Sequence, residues 1–202
     1  MLDSRPVRES FLVFGAPMID RTAIDEVVDS LESGWIGTGP KVTHFEEDLR
    51  DYIDVHRVSC LGSCTAALFL GLRALNVGPG DEVLVPAMTF VASANVVEHT
   101  GARPVLVDCE PGSGLMDLDA AEASITESTV AVMPVHLAGR PLDMDRLNAL
   151  RDAYRLAVIE DAAHAIGAEW RGQRIGSFGN LTAFGTHAGS GDRSRCGERV
   201  KQ

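Results

Sequence analysis

Lysine is scarce in this sequence. Of its 18 basic residues only Lys41 and Lys201 are lysines, and the others are arginines. A reaction that needs a lysine amine as covalent nucleophile therefore has only these two side chains available. Long apolar runs are also missing, because none approaches the roughly 18 residues that a membrane-spanning helix requires. The sequence after Met1 lacks the hydrophobic stretch of a signal peptide, so we expect a cytoplasmic protein that does not enter a membrane.

Clustered positive charge and metal-binding cysteine spacings are absent too. The net charge is −11 and the isoelectric point about 4.9, which argues against a nucleic-acid partner, since such binding depends on grouped lysines and arginines. The four cysteines show no CxxC pair and no zinc-type spacing, so we interpret them as small buried thiols: Cys60, Cys64, Cys109 and Cys196. No GxGxxG loop and no Walker-type GK(S/T) ending occurs, which disfavours a Rossmann or P-loop nucleotide binder.

What is present is typical of a globular protein with one large domain: 45% of the 202 residues are hydrophobic and 23% are charged. A first helix is predicted over 20–33, where apolar residues recur at helical spacing: Ile24, Val27, Val28 and Leu31. Thr43 to Glu46 has the sequence of a capping box and predicts the start of a second helix, with the apolar stripe Phe45, Leu49 and Ile53.

Short apolar runs then alternate with helical segments. The predicted strands are 58–61, 82–85, 104–107, 130–133, 156–159 and 181–184. The predicted helices between them are 65–75, 90–99, 118–125 and 144–154. This alternation predicts an α/β fold with one mostly parallel sheet and helices on both of its faces.

The last residues have a different composition. Residues 189–202 carry four basic and two acidic side chains and one aliphatic residue, Val200, whereas the preceding residues carry a net charge of −13. We therefore expect one domain over 1–188 and a disordered tail over 189–202 that does not belong to it.

Three candidate site segments follow predicted strands, where ligands bind in open parallel sheets. The small-residue turn from Gly62 to Ala67 leads into a helix whose free N–H groups suit a phosphate, with Ser63 and Thr65 as hydroxyl donors. An ordinary helix cap would use the same residues.

Acidic and aromatic residues occupy the other two segments. Asp161 follows an apolar strand, and a carboxylate there needs a positive partner such as a pyridinium nitrogen, or it simply caps the next segment. His164 is either part of that site or a structural histidine. Phe90 is placed to stack on a flat ring or to join the core. Beyond these three segments, His136 after the predicted strand 130–133 is equally ambiguous.

Five collinear segments between Phe11 and Phe184 resemble the DegT/DnrJ/StrS sugar aminotransferases, which use pyridoxal 5'-phosphate (PLP). They read GWIGTGPKVTHFEEDLRDYI, GSCTAALFLGLRALNVGPGDEVLVPAMTFVASANVV, GARPVLVD, AVMPVHLAGRPLDMDRL and AVIEDAAHAIGAEWRGQRIGSFGNLTAF. The resemblance implies the aspartate-aminotransferase-type (fold type I) large domain. It also implies a homodimer with active sites at the subunit interface, and transfer of an amino group from glutamate to a nucleotide-linked keto-sugar.

The resemblance implies a cofactor site as well. One turn matches the segment that holds the cofactor phosphate: Ser63, Cys64 and Thr65. Phe90 matches the aromatic residue that stacks on the pyridine ring, and Asp161 matches the carboxylate that pairs with the pyridinium nitrogen and makes the ring an electron sink. His164 matches the residue that contacts the phenolic oxygen of the ring.

The sequence departs from the family pattern at the position of the Schiff-base lysine. The family pattern runs roughly Ser-Phe-His-Ala-Thr-Lys, whereas this chain has Gly185 at the serine and Ser190 at the lysine position. His187 and Ala188 still match. A serine hydroxyl cannot form an imine, and neither Lys41 in a polar loop nor Lys201 near the terminus fits the role.

Three interpretations of this departure stay open. The first is an aminotransferase fold with impaired catalysis, and the simplest account is a truncation or frame shift near Phe184 that removes the small C-terminal domain. The second is a non-catalytic fragment. The third is the branch of PLP-dependent sugar dehydratases, which replaces the lysine by histidine, although His187 occupies a position where ordinary members also carry histidine.

Overall fold

A five-stranded parallel sheet organises the computed structural model, which describes residues 19–186. Its strands are β1 Glu82–Pro86, β2 Arg103–Val107, β3 Thr129–Val132, β4 Ala157–Ala162 and β7 Leu181–Phe184. Their spatial order is β2-β1-β3-β4-β7, and every neighbouring pair is parallel. The predicted mostly parallel sheet is thus confirmed, and five of the six predicted strands form it.

Helices cover both faces of this sheet. The described helices are α1 Arg21–Glu32, α2 Pro40–Ile53, α3 Cys64–Ala74, α4 Val91–Thr100, α5 Leu118–Ala123 and α6 Met144–Tyr154. Alternate strand residues enter two separate cores: Val83 and Val85 join α3 and α4 on one face, whereas Leu84 joins α5 and α6 on the other. The predicted α/β fold with helices on both faces is therefore confirmed.

One predicted strand and one predicted cap do not form. Residues 58–61 have no strand structure, because a strand needs a ladder partner and no described strand lies beside them. The second helix begins at Pro40 after Gly39, so Thr43 lies inside the helix and does not cap it. Proline suits this first position because its missing N–H has no acceptor there in any case.

A short antiparallel hairpin was not predicted from the sequence. It consists of β5 Glu169–Trp170 and β6 Gln173–Arg174, and Arg171 and Gly172 in its turn both have positive φ. Strands of two residues carry no periodic signal, which explains why the pattern missed them.

Helix α3 lies very close to the sheet. A Cβ at Gly71 would stand 2.4 Å from Cδ1 of Ile159 on β4, so a larger residue would require the end of the Ile159 side chain to move. The close packing brings the N-terminus of α3 to the carboxyl end of β4, next to the N-terminus of α4.

The first two helices lie at the margin of the fold. None of the residues of α1 is buried, and Lys41 at the start of α2 joins the helices by ion pairs to Glu26 at 2.5 Å and Asp29 at 2.8 Å. The proposed tail over 189–202 lies outside the described residues, as does Ser190. Within residues 19–186 no helix is both long and apolar enough to cross a bilayer.

Candidate active site

Asp161 lies at the carboxyl end of β4 and is only 6% exposed. Its Oδ2 accepts a hydrogen bond from Oγ of Ser93 at 2.8 Å, and its Oδ1 accepts one from the backbone N–H of Ala163 at 3.2 Å. The backbone is held as well, since Asp161 donates to the carbonyl of Pro134 and accepts from the N–H of His136. The carboxylate is thus fixed in place by neutral donors.

A buried carboxylate without a cation suits a positively charged ligand. No arginine, lysine or histidine of residues 19–186 forms an ion pair with Asp161. Removing a carboxylate from water costs several kcal/mol unless opposite charge compensates for it. A protonated pyridine nitrogen would supply that charge, so the donor set fits the ring of PLP. Residues 19–186 contain no cluster that could hold a metal ion.

Cys64 lies beside this carboxylate at the start of α3. Burial, and secondarily the negative charge of Asp161, raise the pKa of the Cys64 thiol to about 12. Its Sγ lies 3.5 Å from the carbonyl oxygen of Ala183, the residue paired with Asp161 across β4 and β7. Cys64 therefore remains a protonated thiol at neutral pH and does not act as a nucleophile there.

The α3 N-terminus brings the remaining residues of the predicted phosphate turn to this edge. Ser63 is the N-cap, and its Oγ accepts from the N–H of Ala66 at 3.0 Å, which leaves its own hydroxyl proton available. The N–H groups of Cys64 and Thr65 precede the first intrahelical bonds, so the helix offers them no acceptor. Thr65 is exposed in the first turn. These groups favour an anion at the helix end.

Phe90 and His164 border the same edge from two other elements. Phe90 is the N-cap of α4 and is 73% exposed, and its carbonyl oxygen lies 3.2 Å from Oγ of Ser93, the residue that also contacts Asp161. His164 lies in the exposed turn after β4. The structure thus brings Cys64 and Asp161 into direct proximity, connects Phe90 to them through Ser93, and leaves His164 at the exposed border.

His136 belongs to a different cluster on the opposite face of the sheet. It is fully buried, and its Nε2 lies 2.9 Å from Oε2 of Glu160. Its Nδ1 accepts from the N–H of Leu142 at 3.1 Å, so the ring proton is on Nε2 and is donated to Glu160. Asn180 donates to the other oxygen of Glu160 at 2.8 Å. All polar atoms of this carboxylate are therefore satisfied within the protein.

Three polar residues of these clusters were not singled out from the sequence: Ser93, Glu160 and Asn180. A signal existed for Ser93, because it interrupts the buried apolar face of α4 formed with Ala92, Val96 and Val97. A signal existed for Glu160 too, because consecutive residues of a strand point to opposite faces, and the one before Asp161 must lie on the other side of the sheet.

A groove of about 1020 Å³ opens beside the site. The segments 54–64 and 179–186 line much of it, so it separates the predicted strand at 58–61 from β7. Ser63, Cys64 and Gly185 stand on its walls. A ligand at the α3 N-terminus would therefore have access from solvent.

A parallel sheet with helices on both faces, carrying these residues at its carboxyl edge, is the large domain of the fold type I PLP-dependent aminotransferases, and the structural neighbours are of this class. The chain belongs to the DegT/DnrJ/EryC1/StrS aminotransferase family, whose model matches residues 17–190. This confirms the family resemblance seen in the sequence. Proteins similar to the chain include a sugar aminotransferase of known structure and a 3-amino-5-hydroxybenzoic acid synthase.

Individual relatives share substantial identity with the chain. A GDP-perosamine synthase of Caulobacter vibrioides is 44% identical over 171 residues, which are 84% of this chain and 46% of the relative. A UDP-4-amino-4-deoxy-L-arabinose–oxoglutarate aminotransferase of Shewanella sediminis is 43% identical over 88% of this chain and 46% of its own length. The PLP-form structure of a putative sugar aminotransferase from Streptococcus pneumoniae matches 88% of this chain and 49% of its own, with TM-score 0.83 and 44% identity. The chain spans about half the length of these relatives.

Proposed function

We propose that this chain is the cofactor-binding part of a PLP-dependent aminotransferase for nucleotide-linked keto-sugars, with glutamate as amino donor. The observation that carries the proposal is the buried carboxylate of Asp161, which has two neutral donors and no described cation at the carboxyl edge of the sheet. The names of two similar proteins contain a GDP-linked and a UDP-linked amino sugar, which supports the nucleotide-sugar class.

Each proposed site residue has a physical role toward the cofactor. Asp161 holds a proton on the ring nitrogen by its charge, and Phe90 covers one face of the ring. His164 lies in the turn that would approach the phenolic oxygen. The phosphate would be bound by the turn Ser63-Cys64-Thr65 at the α3 N-terminus, through its backbone amides and the hydroxyls of Ser63 and Thr65. When bound, PLP supplies an electron sink that stabilises negative charge on the substrate carbon.

Catalysis by the chain as written is proposed to be impaired. The Schiff-base position is Ser190, and the hydroxyl of serine cannot replace the lysine amine in covalent bonding or proton transfer. Lys41 is held by Asp29 and Glu26, and the hydrogen bonds that its ammonium donates to these carboxylates raise its pKa, which makes it a poorer nucleophile. Binding of PLP is therefore proposed to be weak and non-covalent. A homodimeric state and a cytoplasmic location belong to the same proposal.

A non-catalytic role for the fragment is the second candidate, because Ser190 favours it. Both candidates are tested by titrating the purified chain with PLP and following cofactor absorbance. We expect saturable binding in the chain as written and a loss of about tenfold or more in affinity for Asp161→Asn, since the ring nitrogen loses its counter-charge. Equal affinity of the two proteins would contradict the proposed site.

The covalent part of the proposal needs a separate measurement. Borohydride treatment of the PLP-loaded chain, followed by peptide mass spectrometry, is expected to yield no pyridoxyl adduct on Lys41 or Lys201. A stoichiometric adduct on either lysine would contradict the proposed non-covalent binding and would identify a replacement for the missing lysine.

A further inference from the structure

A fully buried hydroxyl on α4 contacts the proposed cofactor carboxylate. Ser93 is 0% exposed and lies one helical turn after Phe90, on the side of α4 that faces the sheet. Its Oγ is 2.8 Å from Oδ2 of Asp161, and no other described side chain donates to that carboxylate. A serine placed among Ala92, Val96 and Val97 adds nothing to the apolar core, so its polar contact explains its position better than packing does.

The direction of the proton in this contact follows from the partners. Oγ of Ser93 also lies 2.7 Å from Oγ1 of Thr89 and 3.2 Å from the carbonyl of Phe90, yet a serine has a single proton to donate. The ionised carboxylate of Asp161 can only accept, and hydrogen bonds to charged acceptors are the stronger ones. Ser93 therefore donates to Asp161, and Thr89 donates in turn to Ser93.

This chain of donors fixes how the carboxylate is oriented. Ser93 holds Oδ2 while the N–H of Ala163 holds Oδ1, so rotation of the carboxylate about its last bond would break both contacts. Ser93 also lies one helical turn after Phe90, so the position of the carboxylate is linked to that of the aromatic residue through α4. Preorganised groups of this kind lose less freedom when a ligand arrives.

We propose that Ser93 is a positioning residue that aims the Asp161 carboxylate at the ring nitrogen of bound PLP. The proposal rests on the proposed function, because it presupposes that Asp161 faces the cofactor. Ser93 itself does not touch the cofactor in this proposal. Its effect is expected only for ligands that carry a ring nitrogen, which separates orientation of Asp161 from a general contribution to folding.

A second buried hydroxyl on the same helix offers a matched control. Thr100 is 6% exposed at the other end of α4, and its Oγ1 bonds only to backbone groups, the carbonyl of Val97 at 2.7 Å and the N–H of Ala102 at 3.3 Å. Thr100→Val removes one buried hydroxyl from α4, as Ser93→Ala does, but far from Asp161. Ser93→Thr keeps the donor and serves as the conservative variant.

The test compares binding of PLP with binding of its analogue in which C–H replaces the ring nitrogen. We expect Ser93→Ala to weaken PLP binding about tenfold and to leave binding of the analogue within about twofold, because only the charged ring contact is affected. Ser93→Thr and Thr100→Val are expected to bind both ligands like the parent chain. Thermal unfolding of each variant identifies any that fails to fold. If Ser93→Ala does, Ser93→Cys replaces it, because its thiol is a much weaker donor, and it is expected to lose affinity for PLP but not for the analogue.

The outcomes separate the two proposals. If Asp161→Asn loses the preference for PLP over the analogue while Ser93→Ala retains it, the proposed function stands and the positioning role of Ser93 is overturned. If Ser93→Ala weakens both ligands equally, the hydroxyl has only a structural role and the inference fails. If the parent chain does not distinguish the two ligands, the proposed function fails and this inference fails with it.

Discussion

Two neighbouring carboxylates on β4 have opposite surroundings. Glu160 is completely buried on the face of α5 and α6, and both of its oxygens accept hydrogen bonds, from His136 and from Asn180. Asp161 faces α3 and α4, lies at the edge of the sheet, and is held by one hydroxyl and one amide. One residue of offset along a strand separates a carboxylate that is enclosed within the protein from one that lies at the carboxyl edge of the sheet, where ligands bind.

The two carboxylates have different roles on the two faces of the sheet. Glu160 connects three parts of the chain, because His136 follows β3 and Asn180 precedes β7, and Asn180 also accepts from Arg151 of α6 at 2.8 Å. That arrangement stabilises the carboxyl end of β4 from both sides. Asp161 contributes little to such connections and keeps an uncompensated charge. We therefore expect mutations at Glu160 to act on stability and those at Asp161 to act on ligand binding.

The largest effect is expected for Glu160→Ala. The substitution leaves the Nε2–H of His136 buried without an acceptor and removes the shorter of two hydrogen bonds of the Asn180 amide, which keeps Asn148 at 3.4 Å. An unsatisfied buried donor costs about 1–3 kcal/mol, and the cavity left by the side chain adds to this loss. The free energy of unfolding, measured with urea, is the observable. Asp161→Asn is the control on the adjacent residue and is expected to change it by less than about 1 kcal/mol, since the neutral amide is similar in shape and relieves an uncompensated charge. Equal losses in the free energy of unfolding for the two variants would contradict the proposed difference between Glu160 and Asp161.

Asn180→Ala tests the same difference between Glu160 and Asp161 by removing a donor to Glu160. This change removes one of the two donors to the buried carboxylate and one acceptor of the Arg151 guanidinium, which keeps its contact with Asp152. Loss of a hydrogen bond to a buried charged group is expected to reduce the free energy of unfolding by about 1–3 kcal/mol. PLP affinity should be little changed, since Asn180 does not contact Asp161. A large loss of affinity at unchanged stability would show that the two faces are functionally coupled.

The reactivity of Cys64 reports the charge of Asp161 directly. The pKa of this thiol is raised to about 12, first by burial and then by Asp161, so the thiolate fraction is very small at pH 8 and grows only as the pH approaches that value. Asp161→Asn removes the second cause and lowers the pKa part of the way, because burial remains. Alkylation of Cys64 by iodoacetamide at pH 9, followed by mass spectrometry, should become severalfold faster. The same variant should leave alkylation of Cys60 unchanged, and a parallel increase at both thiols would indicate loosening of the fold.

The smallest effect is expected for Ser190→Lys. This substitution alone should not restore transamination. Gly185 stands where the family pattern has serine, and a Cβ there would lie 3.0 Å from the carbonyl oxygen of Ala163, the residue whose amide holds Asp161. Reacting groups must be held within about 1 Å for efficient transfer, and a lysine at position 190 does not restore the hydroxyl that the family pattern has at position 185. Amino transfer from glutamate is the assay, and robust turnover by this single variant would refute the proposed impairment.

Much of the fold could be predicted from the sequence because its elements are strongly periodic. The bounds of β7 and α6 agree with the prediction, those of β1 differ by one residue at one end, and those of α4 differ by one residue at both ends. The prediction of a strand over 58–61 was wrong, because a strand forms only beside a neighbouring strand and the local sequence does not reveal whether one is present. The predicted start of α2 was also wrong. The helix begins at Pro40 after Gly39, and the capping-box pattern at Thr43 does not mark its start.

The site was predictable only in part, for a related reason. Cys64 and Asp161 come from segments far apart in the chain, and the topological rule for parallel sheets places both at one edge. By itself, then, the sequence determined the alternation of strands and helices, the family, and the absence of a lysine at position 190. Tertiary structure alone decided that Ser93 reaches Asp161 while Glu160 is satisfied by His136 and Asn180, because these contacts depend on how α4 and the strand loops pack against β4.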